Sequence, residues 1–400
     1  MSKPLDVVPL LAELVRIPSV NPMGRHVTGD EYLEHAMTAR LEQIFRDLQL
    51  PFVKQHLAPR RENILAMLPG TAGAGVLVFE AHQDTVPVDG MTIEPWSGEI
   101  RDGRVWGRGS CDIKGGMACM IAALSRLAAE KPRDIPTVVI ACTVNEEHGY
   151  TGASHLANLW QQGSDGLTSG LPSAVIVAEP TELDVVVAHK GVVRWRCRTH
   201  GRAAHSSMPQ AGENAIYRMT RVIGALENYA TEVAPRLPGH PLCGSPTLSV
   251  GVISGGISVN TVPASCVIEI DRRVIPGENA MAARQQVIDH IRASVGDVAW
   301  IEHDLPYISS NGLKDVNNQA IANRLSEVAA KHGGAGRKVG VPFGTDATAY
   351  DEIPVPSVVF GPGNIAQAHT ADEWIATDQL EAATEILYQL AKSGSLTSKG

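Results

Sequence analysis

Three stretches of the chain are apolar almost without interruption: GVLVFEAH at 75–82, TVVIACTV at 137–144 and SAVIVAE at 173–179. Runs this short and this continuous suit strands buried on both faces, the pattern of a parallel sheet covered by helices. Helical stretches separate them, GGMACMIAALSRLAAE at 115–130 and TGASHLANLWQQ at 151–162. Strand, helix, strand, helix, strand predicts an α/β fold with a mixed, mostly parallel sheet flanked by helices. PSVVFGPG at 356–363 reads as a further buried strand. Amphipathic helices are predicted over 6–16 and 29–49, and DQLEAATEILYQLAKS at 378–393 closes the chain before a frayed tail.

The middle of the chain follows another rule. GVVRWRCRTHG at 191–201 alternates apolar and charged residues, as a strand with one wet face does. A helix at 213–232, strands at 247–256 and 264–276, a helix at 280–295 and a strand at 297–303 follow. The order β-α-β-β-α-β is an α+β split-βαβ, ferredoxin-like unit. Residues 191–304 are therefore expected to form a domain inserted into one made of 1–190 and 305–400.

At 400 residues, 44% of them hydrophobic, the chain has enough material for two cores. A net charge of −9 argues against a nucleic-acid surface. Asp6, Glu13 and Arg16 break the N-terminal apolar stretch, so no signal peptide is expected. No apolar run approaches the roughly 18 residues of a membrane span. Six scattered cysteines without a C-x-x-C pair fit reduced thiols in a cytoplasmic enzyme.

Chemistry-bearing residues collect where the buried strands end. His82 ends the first run, Glu146 and Glu147 follow the second, Glu179 ends the third, and Asp112 precedes a helix. Ligands of open parallel sheets bind beyond the carboxyl ends of the strands, so topology brings these groups together. Any one of them alone reads as a cap or turn residue. Together they repel unless a cation neutralises them. Imidazole and carboxylate without thiolate point to Zn²⁺, with Co²⁺ or Mn²⁺ as alternatives. More carboxylates than one ion needs suggest two ions. His82-x-Asp84 has the form of a ligand whose second ring nitrogen is held by a neighbouring carboxylate. Glu146 and Glu147, if extended, point in opposite directions and serve different tasks.

Other histidines and tryptophans take blander readings. His148, His155 and His200 read as surface or helix-face residues, Trp195 and Trp300 as packing. No G-x-G-x-x-G or Walker loop follows the early strands, and Asp112 amid GRGSCDIKGG would repel a phosphate.

The motifs HQDTVP, GRGSCDIKGG, NEEHG, AEPT, HGRAAHSSMPQAGENAI, NTVPASCVIEIDRR, FGTDA and AHTADE occur in that order. In that ordered set the chain resembles, over nearly its whole length, the dinuclear-metal amidohydrolase and exopeptidase family of acetylornithine deacetylase, succinyl-diaminopimelate desuccinylase, aminoacylase and glutamate carboxypeptidase. The resemblance implies Asp112 as the carboxylate bridging two metals. It implies His82 and Glu179 on one metal, Glu147 and His369 on the other. Glu146 becomes the general base and Asp84 the partner of His82. His205 becomes an oxyanion-stabilising residue that a lid domain carries across a homodimer. Asn260 and Arg273 become holders of the substrate carboxylate, with Arg273 preferred to Arg272. Gly344, Thr345 and Asp346 become a pocket loop, and the Asp112–Ile113 peptide is expected to be cis. AHKG after EPTELDVV is most similar to the acetylornithine deacetylases, which favours N-acetylornithine among N-acyl amino acid substrates. Desuccinylase, aminoacylase and dipeptidase or carboxypeptidase activities share the same catalytic residues. Two departures stand out. Cys111 occupies a position usually held by alanine, and FGTDA lacks one of the family's paired glycines.

Overall fold

The computed structural model describes residues 3–296 and 299–396. The chain divides into two compact units. One comprises Met1–Val187, Lys314–Val339 and Thr345–Gly400, the other Ala188–Leu313 and Gly340–Gly344.

In the first unit the apolar runs become the middle of a sheet ordered Phe52–Ala58, Arg61–Leu68, Thr137–Thr143, Val76–His82, Ala174–Val177, Ser357–Val359, Val185–His189, Lys338–Val341. Thr137–Thr143, Val76–His82, Ala174–Val177 and Ser357–Val359 run parallel. They are buried along almost their whole length because helices cover both faces, so apolar residues dominate them, and the polar Glu80, His82 and Thr143 lie toward their carboxyl ends. His82 lies opposite Thr143, so the residues that follow these strands emerge along one sheet edge.

The helix Lys114–Glu130 is buried along nearly its whole length. Its small residues are a packing requirement: a Cβ on Gly116 would stand 2.8 Å from the Ala178 side chain. The predicted helix 29–49 begins only at His35, because Leu33 takes a left-handed conformation at φ 69° and interrupts the helical path. The antiparallel hairpin Phe52–Ala58/Arg61–Leu68 and the small sheet Glu99–Arg101, Arg104–Trp106, Trp374–Ala376 did not announce themselves in the sequence. Their strands are edge or half-exposed, so polar residues interrupt the apolar signal.

The second unit follows the β-α-β-β-α-β order through Gly191–His200, Ala215–Asn228, Thr247–Gly255, Ser265–Val274, Ala280–Val295 and Ile301–His303. Its antiparallel sheet is ordered Thr247–Gly255, Ser265–Val274, Gly191–His200, Ile301–His303. Ile308–Ser310 also pairs with Gly191–His200, so this unit runs past residue 304. Residues 297–298 of the predicted strand 297–303, and 397–400 of the predicted frayed tail, lie outside the described residues.

Along Ser265–Val274 buried and half-buried residues alternate. The alternation separates the neighbouring arginines. Arg272 points into the core, where it pairs with Glu278 at 2.7 Å, while Arg273 stays on the open face, paired with Asp271 at 2.8 Å. Trp195 is fully buried in the same core, and Trp300 packs against its margin. Among the described residues no helix is long and apolar enough to cross a membrane.

Candidate metal centre

The ends of the parallel strands meet at Asp112. Its Oδ1 lies 3.3 Å from His82 Nε2, and its Oδ2 lies 3.2 Å from His369 Nε2. One carboxylate thus faces two imidazoles with opposite oxygens. Glu147 joins from the third side, with Oε2 at 3.4 Å from His369 Nε2. His82, Asp112 and Glu147 each offer a ligand atom, and these atoms lie within 4.8 Å of one another. His82 Nε2 and Glu147 Oε1 are buried and make no hydrogen bond. Buried polar atoms normally find partners, so these orphaned atoms, with an imidazole–carboxylate donor set, fit a divalent cation. Glu179, at the end of the third strand run, is buried and lies within electrostatic range of Asp112, His82 and Glu147.

The charges describe the same centre. Burial by itself would raise the Asp112 carboxyl, but the His369 and His82 imidazoles outweigh it and hold the group well below the ordinary carboxylate range. His369 is raised to about 10 by Asp112 and Glu147. His82 is raised as well, because Asp112, Glu146 and Asp84 overcome its burial. Burial, then neighbouring carboxylates, pushes Glu147 and Glu179 up. Excess negative charge is being met by protons, and metal binding to such ligands releases protons.

Glu146 and Glu147 are not extended. They lie in a turn entered through Asn145 at φ 64°, so the alternation expected of a strand does not separate them. Their separation comes from Asp84. Its Oδ1 accepts the Glu146 N–H at 3.1 Å, and its Oδ2 accepts the Glu147 N–H at 3.2 Å. Asn21 Nδ2 also donates to Asp84 Oδ2, at 2.8 Å. This revises the expected partnership with His82. The ring Nδ1 is 2.9 Å from the Asp84 backbone carbonyl but 3.7 Å from its carboxylate. The backbone of Asp84 fixes the imidazole, and its side chain fixes the glutamate turn. Glu146, raised by burial above all, belongs to this turn but not to the trio His82, Asp112 and Glu147.

Several buried contacts at the centre escaped sequence reasoning because the partners meet only in the fold. Glu80, Thr143 and Asp346 form a network under the strand ends: the Thr143 hydroxyl lies 2.5 Å from Glu80 and 3.1 Å from Asp346. Asp346 and Thr345 are therefore buried rather than open to a pocket, while Gly344 is half-buried in the second unit. Glu34 is raised to about 8 by its burial and by Asp84. Glu373 binds the segment that carries Asp112 through three backbone N–H groups. The only signal for it was its place in AHTADE.

The Asp112–Ile113 peptide is cis. Cys111 is buried against Gly363, and burial, then Glu373 and Asp112, pushes its thiol well up, so it acts as a small apolar filler. His205, Asn260 and Arg273 belong to the second unit. His205 and Asn260 are neighbours: His205 bridges to Thr261, and the Ser206 N–H donates to the Asn260 carbonyl at 3.0 Å. Arg273 lies near the far end of the strand Ser265–Val274, about 26 Å from Ser265 at ~3.3 Å per residue, whereas Asn260 precedes that strand at its Ser265 end. One small carboxylate cannot touch Asn260 and Arg273 of a single copy. His200 pairs with Glu302 at 2.8 Å on the surface.

The model of peptidase family M20/M25/M40 matches residues 78–393. An acetylornithine deacetylase from Myxococcus xanthus is 32% identical over 329 residues, covering 81% of this chain and 82% of that protein. A probable carboxypeptidase from Trichophyton verrucosum is 30% identical over 397 residues, covering 95% and 83%. The crystal structure of a tripeptidase from Staphylococcus aureus superposes with a TM-score of 0.77 at 20% identity, covering 96% of this chain and 97% of that one.

Proposed function

The chain belongs to peptidase family M20/M25/M40 and is a hydrolase of that family; on that premise we propose that it uses two divalent ions to hydrolyse the amide bond of an N-acyl amino acid, N-acetylornithine being the favoured substrate. The observation that carries the reading is Asp112 with one oxygen toward each of two imidazoles. Such a carboxylate suits two ions: His82 and Glu179 would hold one with Asp112, and Glu147 and His369 would hold the other with it. The donor set favours Zn²⁺, with Co²⁺ or Mn²⁺ as substitutes. When bound, the ions supply an acidified water and polarise the carbonyl under attack. Glu146, held at the site by Asp84 yet free of the trio, takes the proton from the attacking water and returns it to the leaving nitrogen. His205 donates toward the developing oxyanion. Asn260 and Arg273 hold the substrate carboxylate. Six buried cysteines, none in a disulfide, suit a reducing, cytoplasmic setting.

Substrate choice is tested by amine release from N-acetylornithine, N-succinyl-diaminopimelate, N-acetylmethionine and a dipeptide, using ion-loaded protein. N-acetylornithine is expected to show the highest kcat/KM by at least tenfold. A higher value for the dipeptide would transfer the assignment to the peptidases, toward which the carboxypeptidase relative points.

The second unit supports a homodimer. Its outer strand Thr247–Gly255 carries no charge and no proline, and only an irregularity between Val250 and Val252 interrupts its edge. Val252, Ile253, Ile257 and Val259 are 53–100% exposed along this side. Each would contribute about 1.5–3 kcal/mol if fully buried. An uncharged, apolar edge is a template for strand pairing, and a second copy meets it with the same surface. Two copies also resolve the separation of Asn260 from Arg273, by contributing one residue each to a substrate. Sedimentation at micromolar concentration should give twice the chain mass, and Ile253→Glu should halve it. A wild-type monomer would contradict this arrangement.

A further inference from the structure

Glu373 is fully buried, yet every one of its carboxylate contacts goes to the segment that leads into Asp112. Its Oε1 accepts the backbone N–H groups of Cys111 at 2.8 Å and Asp112 at 3.0 Å. Its Oε2 accepts the Gly109 N–H at 3.0 Å and Arg108 Nη1 at 2.7 Å. The Glu373 carbonyl in turn accepts the Gly107 N–H at 3.0 Å, and Arg108 Nη2 reaches the Thr370 carbonyl at 3.3 Å. Residues 107–112 and 370–373 are thereby tied into one piece.

The tie matters because of what stands at its two ends. Asp112 follows immediately on one side, and His369 precedes Thr370 on the other. They are 257 residues apart in the chain; the ladder Arg104–Trp106/Trp374–Ala376 brings their segments alongside each other, and residues 107–112 and 370–373 run beyond its end. Beyond the ladder, the Glu373 carboxylate with its four polar contacts, together with the Arg108–Thr370 bond, ties the segments where Asp112 Oδ2 stands 3.2 Å from His369 Nε2. A buried ion pair is weak evidence for stability, since apolar side chains of similar volume do as well or better. Spacing two ligands is a task that apolar residues cannot perform.

We propose that Glu373 is a positioning residue: by tying residues 107–112 to residues 370–373 it sets the distance between Asp112 and His369, and so governs uptake of the ion shared by Asp112, Glu147 and His369. The inference rests on the two-ion reading above. Glu373 touches neither substrate nor ion, and acts through the backbone. The ion shared by His82, Glu179 and Asp112 has no ligand on the 369–373 segment, so it is the less affected of the two.

The test is calorimetric titration of the metal-stripped full chain with Co²⁺, wild type beside Glu373→Gln. Glutamine keeps the volume but replaces one acceptor oxygen with a donor that faces donors. The wild type should bind two equivalents. In Glu373→Gln the first equivalent should bind as in the wild type, and the second 10–100-fold more weakly, the range that loss of an outer partner of a ligand costs. Turnover should return toward the wild-type value as Co²⁺ is raised. Both equivalents binding as in the wild type, or both weakening equally, would overturn the proposal. If circular dichroism shows Glu373→Gln unfolded, Arg108→Gln decides: it leaves the three backbone bonds and removes the ion pair and the Thr370 contact. A several-fold loss confined to the second equivalent supports the proposal, and an unchanged titration overturns it. A wild-type chain that binds no ion at all overturns the metal reading itself, which is a separate result.

Discussion

Glu146→Gln should lower kcat by roughly 10²–10⁴-fold, the usual contribution of a positioned acid–base group, while the chain keeps its metal ions. Glutamine has the shape of glutamate but cannot accept the water's proton at neutral pH. The turn that carries residue 146 is held by its backbone, through the two N–H bonds to Asp84, so the substitution leaves that turn in place. Glu147 reaches the centre from the next position with its own carboxylate. Ion binding and proton transfer therefore separate cleanly between adjacent residues. Substrate affinity should change little, so the loss appears in kcat rather than in KM. Steady-state amine release beside elemental analysis of the same preparation reads both quantities. A Glu146→Gln chain that turns over like the wild type would remove Glu146 from the proton's path.

Asp112→Asn should abolish turnover by removing the ions. The carboxylate offers one oxygen to each side, so its loss strikes both positions at once. An asparagine keeps one acceptor and points a donor at the other imidazole, where a ligand is needed. Loss of a directly binding carboxylate should exceed the 10–100-fold cost of losing an outer partner, so affinity should fall by at least about 100-fold. Proton release on Co²⁺ addition, measured by pH-stat, provides a second check. In the wild type the ions displace protons held by His82 and His369, and the variant should release far fewer.

The candidate ligands near the ends of buried strands stood out because two regularities coincide. A continuous apolar run marks a central parallel strand, and a polar residue closing such a run must emerge at the ligand-binding edge. His82, Glu147 and Glu179 obey both. His369 does not: it lies in an irregular segment beyond Ser357–Val359, in a left-handed conformation, and only its motif pointed to it. The glutamate pair is set apart by a contact the chain does not display. Asp84 is 62 residues from Glu146 in the chain, and hydrogen bonds to backbone N–H groups leave no trace in residue type. Glu34 and Glu80 were invisible on the same ground, and Glu373 had only its place in AHTADE. Each is a buried acid whose partners come from segments distant in the chain.

The second unit was legible in its outline because alternation along an antiparallel strand is a two-residue pattern that needs no long-range knowledge. In the structure that alternation puts Arg273 on the open face and Arg272 in the core, where the sequence had only the resemblance to choose between them. What it could not supply was distance along the strand, and there the structure separated Asn260 from Arg273.

The central claim is that one carboxylate organises an ion centre from which its neighbour Glu146 stands apart. Metal content per chain, measured on the wild type, Glu146→Gln and Asp112→Asn loaded and desalted in parallel, tests it most directly. Two equivalents in the first two proteins and essentially none in the third is the predicted result. Ions retained by Asp112→Asn, or an empty Glu146→Gln, would contradict it.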